Sequence, residues 1–352
     1  MIRVLIVDDS AVLRQTTRLI LTSDSNITVI GEANNGADAV AMAERMRPDV
    51  ITMDIRMPKM DGIQAIRQIM AASPVPIIVV TSIDLAHELD LSSQVAKLGA
   101  VAILQRPEGV STPDFRLFTA KLIEQVKLMS TVKVVRRVRT DSPVPPDAGI
   151  KQPMPVLKPP VKTEIVAVGS STGGPAALHK LLGAMPADFP VPIVIVQHIS
   201  FGFVQGLADW LNDACPLKVK VAQVGERVQP GTVYLAPDNH HMLVDRLNRI
   251  ALNPAEPVGG HRPAVTALFQ SVAQSYGPAA IAVIMTGMGA DGAVGMRSLY
   301  EAGAVTIAQD EASCVVFGMP KEAIALGAVQ QIVPLDQIAQ TLTSLIAMQV
   351  AV

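Results

Sequence analysis

The sequence predicts an α/β protein made of two doubly wound, mostly parallel sheets in tandem, the second with a small antiparallel insertion. Three observations predict it. Short apolar runs alternate with amphipathic helical patterns through both halves of the chain. Apolar residues make up 49% but aromatics only 3%, so the core is aliphatic, as suits parallel strands covered on both faces. A proline-rich stretch interrupts the rhythm near the middle of the 352 residues, a length that accommodates two domains of ordinary size.

Taken in order, strands are expected near residues 2–7, 27–32, 49–54, 76–80 and 101–104, with helices between them, for example Ala11 to Leu21 and Gly62 to Met70. Ser10 and Asp61 stand where helix N-caps belong. Residues 1–129 thus form a first, five-stranded domain. Residues 130–162 carry seven prolines between Pro143 and Pro160 and an excess of Lys and Arg, which reads as a semi-extended, solvated tether. Residues 163–352 resume the pattern, with strands near 164–168, 192–197, 217–221, 280–285 and 304–308. The runs 232–236, 241–244 and 249–252 read as the antiparallel insertion. Pro320 and Pro334 suit first positions of helices.

Composition excludes several classes. A net charge of −2 offers no basic field for nucleic acid. Cys215 and Cys314 are the only cysteines and have no metal-ligand spacing, so both read as buried thiols in a reducing compartment. The start Met1-Ile2-Arg3-Val4-Leu5 lacks a signal-peptide pattern. No apolar run is long enough to span a membrane. A cytoplasmic chain with no direct membrane insertion is expected.

Asp8 and Asp9 end the first strand and Asp54 ends the third. In a doubly wound sheet those ends are neighbours, so three carboxylates meet in one pocket. Such a cluster repels itself unless a hard cation enters, and Mg²⁺ prefers oxygen ligands. A carboxylate beside that metal is a candidate phosphoryl acceptor. Thr81 and Arg106, at the ends of strands four and five, are placed to contact the new phosphate.

In these residues the first 125 positions resemble a response-regulator receiver domain, of flavodoxin-like fold. The resemblance implies Asp8 and Asp9 as the acid pair, Asp54 as phosphoacceptor, Thr81 as switch hydroxyl and Pro107 in the family's Lys-Pro position. It also implies Mg²⁺ as cofactor and a sensor histidine kinase as partner. The chain departs from the family with Arg106 for the lysine, which is not a neutral exchange, and with Ile103 at a switch position that is often aromatic.

Two glycine-rich runs follow apolar strands in the second half. Gly169-Ser170-Ser171-Thr172-Gly173 fits the G-x-S-x-G pattern of an exposed nucleophile between strand and helix. A serine hydroxyl needs an adjacent base, and amides at the start of the following helix are candidate oxyanion donors. Of the six histidines, His198 is the best base, because it ends the strand Pro192–Gln197 on the same sheet edge as Ser171. His87, His179, His240, His241 and His261 each read as structural or surface residues. Asp291, in Thr286-Gly287-Met288-Gly289-Ala290-Asp291-Gly292, is the candidate orienter. The order Ser171…His198…Asp291 is not that of α/β-hydrolases. Gly287, Gly289 and Gly292 also spell G-x-G-x-x-G, with Asp310 near the spacing of a ribose-binding acid. A nucleotide-binding output domain therefore stays as an alternative; a DNA-binding output is the other, though no basic helix-turn-helix is visible.

Residues 163–348 resemble the catalytic domain of chemotaxis-type protein-glutamate methylesterases. The runs that carry this are Gly169–Gly174, Gln197-His198, Val233–Pro237, His261-Arg262-Pro263, Thr286–Gly292 and Ala308–Pro320. The resemblance implies Ser171 as nucleophile, His198 as base and Asp291 as its orienter. Thr172, Gly173 and Met288 would serve the oxyanion site, with no cofactor for the ester chemistry. Its implied activity is demethylation of glutamate methyl esters, and deamidation of glutamines, on the cytoplasmic domain of a methylated transmembrane chemoreceptor. Methanol or ammonia leaves, the outcome is sensory adaptation, and phosphorylation regulates it. Ala264 and Thr266 stand where the family often has Ser and Asp, and Ile199-Ser200 where it often has Met-Pro.

Overall fold

The computed structural model describes residues 1–81, 102–107, 113–130, 161–199 and 201–347, which belong to two compact units. His87, Ser200, the side chain of Ile103 and all but the ends of the 130–162 tether lie outside the described residues.

In the first unit the elements run β1 (Ile2–Val7), α1 (Ala11–Thr22), β2 (Ile27–Ala33), α2 (Gly36–Met46), β3 (Val50–Met53), α3 (Gly62–Ala72), β4 (Ile77–Thr81), β5 (Ala102–Gln105) and α4 (Pro113–Met129). The strands lie in the order β2-β1-β3-β4-β5, and every pair is parallel. Ser10 and Asp61 cap α1 and α3 by accepting from the amides of Leu13 and Gln64 at 3.4 and 2.8 Å. β3 and β4 are wholly buried, as strands covered on both faces must be. The register pairs Val7 with Met53, so the residues that follow β1 and β3 emerge side by side. Gly62 lets α3 start against β3, because a Cβ there would lie 2.1 Å from the Asp54 carbonyl oxygen.

The second unit runs β6 (Ile165–Ser170), α5 (Gly174–Gly183), β7 (Ile193–Gln197), α6 (Val204–Ala214), β8 (Lys218–Val221), β9 (Thr232–Leu235), β10 (His241–Val244), β11 (Ile250–Asn253), α7 (Val265–Tyr276), β12 (Ala280–Ile284), α8 (Ala293–Glu301), β13 (Val305–Gln309), α9 (Met319–Ala325), β14 (Gln331–Val333) and α10 (Leu335–Ala347). The sheet order is β14-β13-β12-β6-β7-β9-β8, again parallel throughout. Helices α5, α6 and α10 bury one face of it through residues such as Leu178, Leu211 and Leu342. Helices α7, α8 and α9 bury the other through Phe269, Met296 and Met319. The chain runs outward from β6 to one side and later returns to the other. The crevice where an open sheet takes ligands therefore lies at the carboxyl ends of β12, β6 and β7.

Two expectations need correction. The run Thr232–Leu235 is not part of the antiparallel insertion but a strand of the main sheet, parallel to β7 and β8. All four of its residues are buried, which suits a two-sided interior strand. The insertion is the hairpin β10–β11 alone. Cys215 and Cys314 are half-buried free thiols rather than fully buried ones.

Candidate active site

Three consecutive strands of the second sheet each end in one candidate residue. β6 runs straight into Ser171, whose amide donates to the Thr286 carbonyl at 3.0 Å. β7 ends one residue before His198, whose amide donates to the Ser170 carbonyl at 3.0 Å. β12 leads through the glycine-rich loop to Asp291. Gly287 has no side chain where the loop passes Ser171, and a Cβ there would sit 2.7 Å from that of Ser171.

His198 Nε2 lies 2.8 Å from Asp291 Oδ2. An ionised carboxylate only accepts, so Nε2 carries a proton, and in the neutral ring the lone pair is then on Nδ1. That Nδ1 is buried and has no hydrogen-bond partner among the described residues. Asp291 is fixed from its other side by the first turn of α7: the amides of Val265 and Thr266 donate to Oδ2 and Oδ1 at 2.7 and 2.9 Å. Burial alone would raise the pKa of this carboxylate. The hydrogen bond and charge of His198, with the donors at Thr266, outweigh it and hold the group at about 2. Thr266 Oγ1 also accepts from the Gly292 amide at 2.8 Å. Thr266 thus ties the Asp291 loop to α7.

The nucleophile loop has its own supports. Gly173, at φ +78°, opens α5 without a side-chain cap, which leaves that helix end for an anion. Of the expected oxyanion residues, Thr172 and Gly173 sit at this end, and half-buried Met288 follows Gly287 on the loop beside Ser171. Three supporting residues had no assigned role in the sequence reading. Gln197 accepts from Ser170 Oγ at 2.6 Å and donates to the carbonyls of Ser171 and His198, each at 2.7 Å. Thr286 Oγ1 donates to the Thr172 carbonyl at 2.9 Å. Gln309 accepts from the Thr286 amide at 2.8 Å. The signal was there: Gln197 and Gln309 are polar residues that close β7 and β13, and Thr286 follows the apolar β12 by two residues.

Of the other described histidines, three fall away from His198 and one stacks on it. His179 stacks on Trp210 with centroids 4.7 Å apart. His240 contacts the Asp238 carbonyl at 3.0 Å. His241 is buried between the Ala264 amide and the Glu256 carbonyl. His261 stacks on His198 with centroids 4.0 Å apart. The dinucleotide alternative loses its two anchors. The Gly292 amide is taken by Thr266, and the Asp310 carboxylate accepts from the amide and hydroxyl of Ser313.

In the first unit Asp8, Asp9 and Asp54 bring one carboxylate oxygen each within 4.8 Å of the others. Arg106 Nη2 pairs with Asp8 at 2.8 Å, and both side chains are buried. The Ile55 amide donates to Asp54 Oδ1 at 2.7 Å. Thr81 closes β4, fully buried, next to β3 in the sheet. Burial, with the charge of Asp8 behind it, pushes Asp54 up to about 6. A raised carboxylate in an all-oxygen cluster fits a small hard cation such as Mg²⁺.

A family model described as CheB methylesterase matches residues 166–342, and one described as response regulator receiver domain matches residues 4–112. A Myxococcus xanthus protein named protein-glutamate methylesterase/protein-glutamine glutaminase 4 is 46% identical over 343 residues, 97% of this chain and 96% of the relative. A Nitrosospira multiformis protein of the same name, without the numeral, is also 46% identical, over 99% of this chain and 98% of the relative. The crystal structure of the Thermotoga maritima CheB methylesterase catalytic domain is 40% identical, with a TM-score of 0.51. It covers 53% of this chain and 100% of that one. The chain belongs to the protein-glutamate methylesterase/protein-glutamine glutaminase family, with a response-regulator receiver domain preceding its CheB methylesterase domain.

Proposed function

We propose that this chain is a phosphorylation-controlled serine hydrolase that removes methyl esters from glutamates of chemoreceptor-type signalling proteins. The observation that carries this is the 2.8 Å contact between His198 Nε2 and Asp291 Oδ2. Asp291 holds Nε2–H, so the lone pair sits on Nδ1 at the sheet edge that also presents Ser171.

In this reading Nδ1 takes the Ser171 hydroxyl proton as Oγ bonds to the ester carbonyl carbon. The oxygen that gains charge rests on amides at Thr172, Gly173 and Met288. The tetrahedral centre collapses, the C–OCH₃ bond breaks, and the proton on Nδ1 goes to the departing methoxide, which leaves as methanol. Water then repeats the sequence: Nδ1 takes its proton, hydroxide attacks the acyl-enzyme, and Ser171 departs with that proton. A glutamine side chain follows the same course with ammonia leaving. Asp291 stays ionised and stabilises the imidazolium.

Control belongs to the first unit. A sensor histidine kinase is the phosphodonor and Asp54 the acceptor, with Thr81 and Arg106 contacting the phosphoryl group. Asp8, Asp9 and Asp54 would hold Mg²⁺, which when bound offsets the charge of the phosphoryl group. The substrate is the cytoplasmic domain of a methylated transmembrane receptor, so the reaction belongs in the cytoplasm. No helix among the described residues is long and apolar enough to cross a membrane. The test is methanol release from methylated receptor membranes, with and without a small phosphodonor. Ser171→Ala should abolish release and Asp54→Asn should abolish stimulation. Normal turnover by the first would overturn the nucleophile, and undiminished stimulation of the second would overturn the switch.

A further inference from the structure

His261 reads in the sequence as a structural or surface histidine, and the ester chemistry above does not use it. Its ring nevertheless lies flat on His198, with centroids 4.0 Å apart and planes 3° from parallel. The backbone around it is fixed. Val258 and His261 exchange two hydrogen bonds of 3.1 Å, closing a turn through Gly259 and Gly260 at φ +59° and +84°. Nothing lies within 4 Å of a Cβ placed on either glycine, so the turn needs them for handedness, not for room. Arg262 Nη1 then donates to the carbonyls of Pro254 and Ala255 at 2.9 and 3.2 Å. The Ala264 amide donates to His241 Nδ1 at 3.2 Å. The next two residues, Val265 and Thr266, supply the amides that hold Asp291. One short segment, Val258 to Thr266, thus touches both the candidate base and its carboxylate.

We propose that His261 is a positioning residue for the hydrolysis: its ring is the platform that fixes the plane of the His198 imidazole, so that Nδ1 aims at Ser171 while Nε2 stays on Asp291. This rests on the reading of Ser171, His198 and Asp291 as the reacting set. The physical need is plain. The χ2 rotor of a histidine is broad, and a single hydrogen bond at Nε2 leaves the ring free to rock about that bond. A flat surface at van der Waals distance removes the rocking. The same π-face lies against the positive charge when Nδ1 takes the serine proton. Parallel stacking brings the ring faces together, not nitrogen to nitrogen, so His261 acts through His198 and not as a second base.

The experiment uses the full-length chain and two readouts. Methanol release from methylated receptor membranes gives kcat and KM. Proton NMR follows the low-field resonance of the His198 Nε2–H···Asp291 bond, assigned by its absence from His198→Ala. His261→Ala is expected to lower kcat roughly ten- to a hundredfold, the scale of a small misplacement, with KM little changed and the low-field resonance broadened. His261→Phe keeps a flat ring and is expected to hold kcat within a few-fold of the parent and to retain the resonance. Parent-like kcat with an unchanged resonance in His261→Ala would overturn the proposal. So would a His261→Phe as slow as an inactive His261→Ala, since the ring nitrogens and not the face would then matter. If His261→Ala does not fold, His261→Phe alone decides, by keeping or losing kcat. Normal turnover by His198→Ala would bring down the reacting set itself, and with it this platform. An inactive His198→Ala beside a normal His261→Ala would bring down the platform only.

Discussion

His198 and Asp291 meet through Nε2 and Oδ2 at 2.8 Å, and the second imidazole nitrogen is left buried without a partner among the described residues. In the proposed reaction the proton-taking atom is therefore Nδ1. Asp291→Asn tests this directly, because an amide can present NH₂ to Nε2 and move the ring proton to Nδ1, the wrong nitrogen. We expect kcat for methanol release to fall by about 10⁴, the scale of the same change in other serine triads, with KM little altered. A loss under tenfold would show that the tautomer does not matter.

Asp291 also predicts a response to acid. Its pKa lies at about 2 in the fold against an ordinary 3.8. A depressed carboxylate stabilises the fold above its unfolded pKa, and that contribution is lost as pH falls from about 4 through about 2. The amount is roughly 2 kcal/mol. Urea unfolding of the second unit between pH 2 and 6 should show this slope, and Asp291→Asn should flatten it. An unchanged slope would refute the assignment.

Asp54 has the opposite sign. Its pKa is raised to about 6, so the fold prefers it protonated, and stability rises as pH falls from above 6 toward 4. At neutral pH the ionised group strains against Asp8. Asp54→Asn should raise the melting temperature of the first unit at pH 7 by a few degrees. Mg²⁺ should raise that of the parent and have a smaller effect on the variant. Thermal shift with and without MgCl₂ reads both, and an equal Mg²⁺ response in the two proteins would exclude Asp54 from the cation site.

The Gln197 brace can be broken from two directions. A Cβ on Gly174 would lie 1.8 Å from Gln197 Oε1, so Gly174→Ala must push that amide off the Ser171 and His198 carbonyls. We expect at least a tenfold fall in kcat. Ser170→Ala leaves Oε1 without its donor in a buried site and should cost about 1–3 kcal/mol of stability in urea unfolding.

The reading of the sequence reached Ser171, His198 and Asp291 because each follows an apolar strand, and a parallel sheet gathers such ends on one edge. Asp8, Asp9 and Asp54 were legible for the same reason. The direction of the His198 ring was not, since it depends on amides of Val265 and Thr266 that no motif marks. Thr232–Leu235 was misplaced because four residues carry too little pattern to separate a buried parallel strand from a hairpin. Gln197, Thr286 and Gln309 were visible as polar residues at or just past strand ends, but their shared task exists only once β6, β7, β12 and β13 lie side by side. His261 was weighed as a rival base, and stacking is a relation that one-dimensional spacing does not encode.

The N-cap of helix α7 is Ala264, which offers no side-chain cap, and the helix's first free amides are closed by Asp291 instead. The catalytic candidate is thus also a fastener. Replacing it with alanine would silence the chemistry and, at about 0.5–2 kcal/mol for a lost cap, loosen the first turn of α7 and the segment that carries His261. Damage at this position would leave a chain that is both inert and frayed, and so exposed to proteolysis.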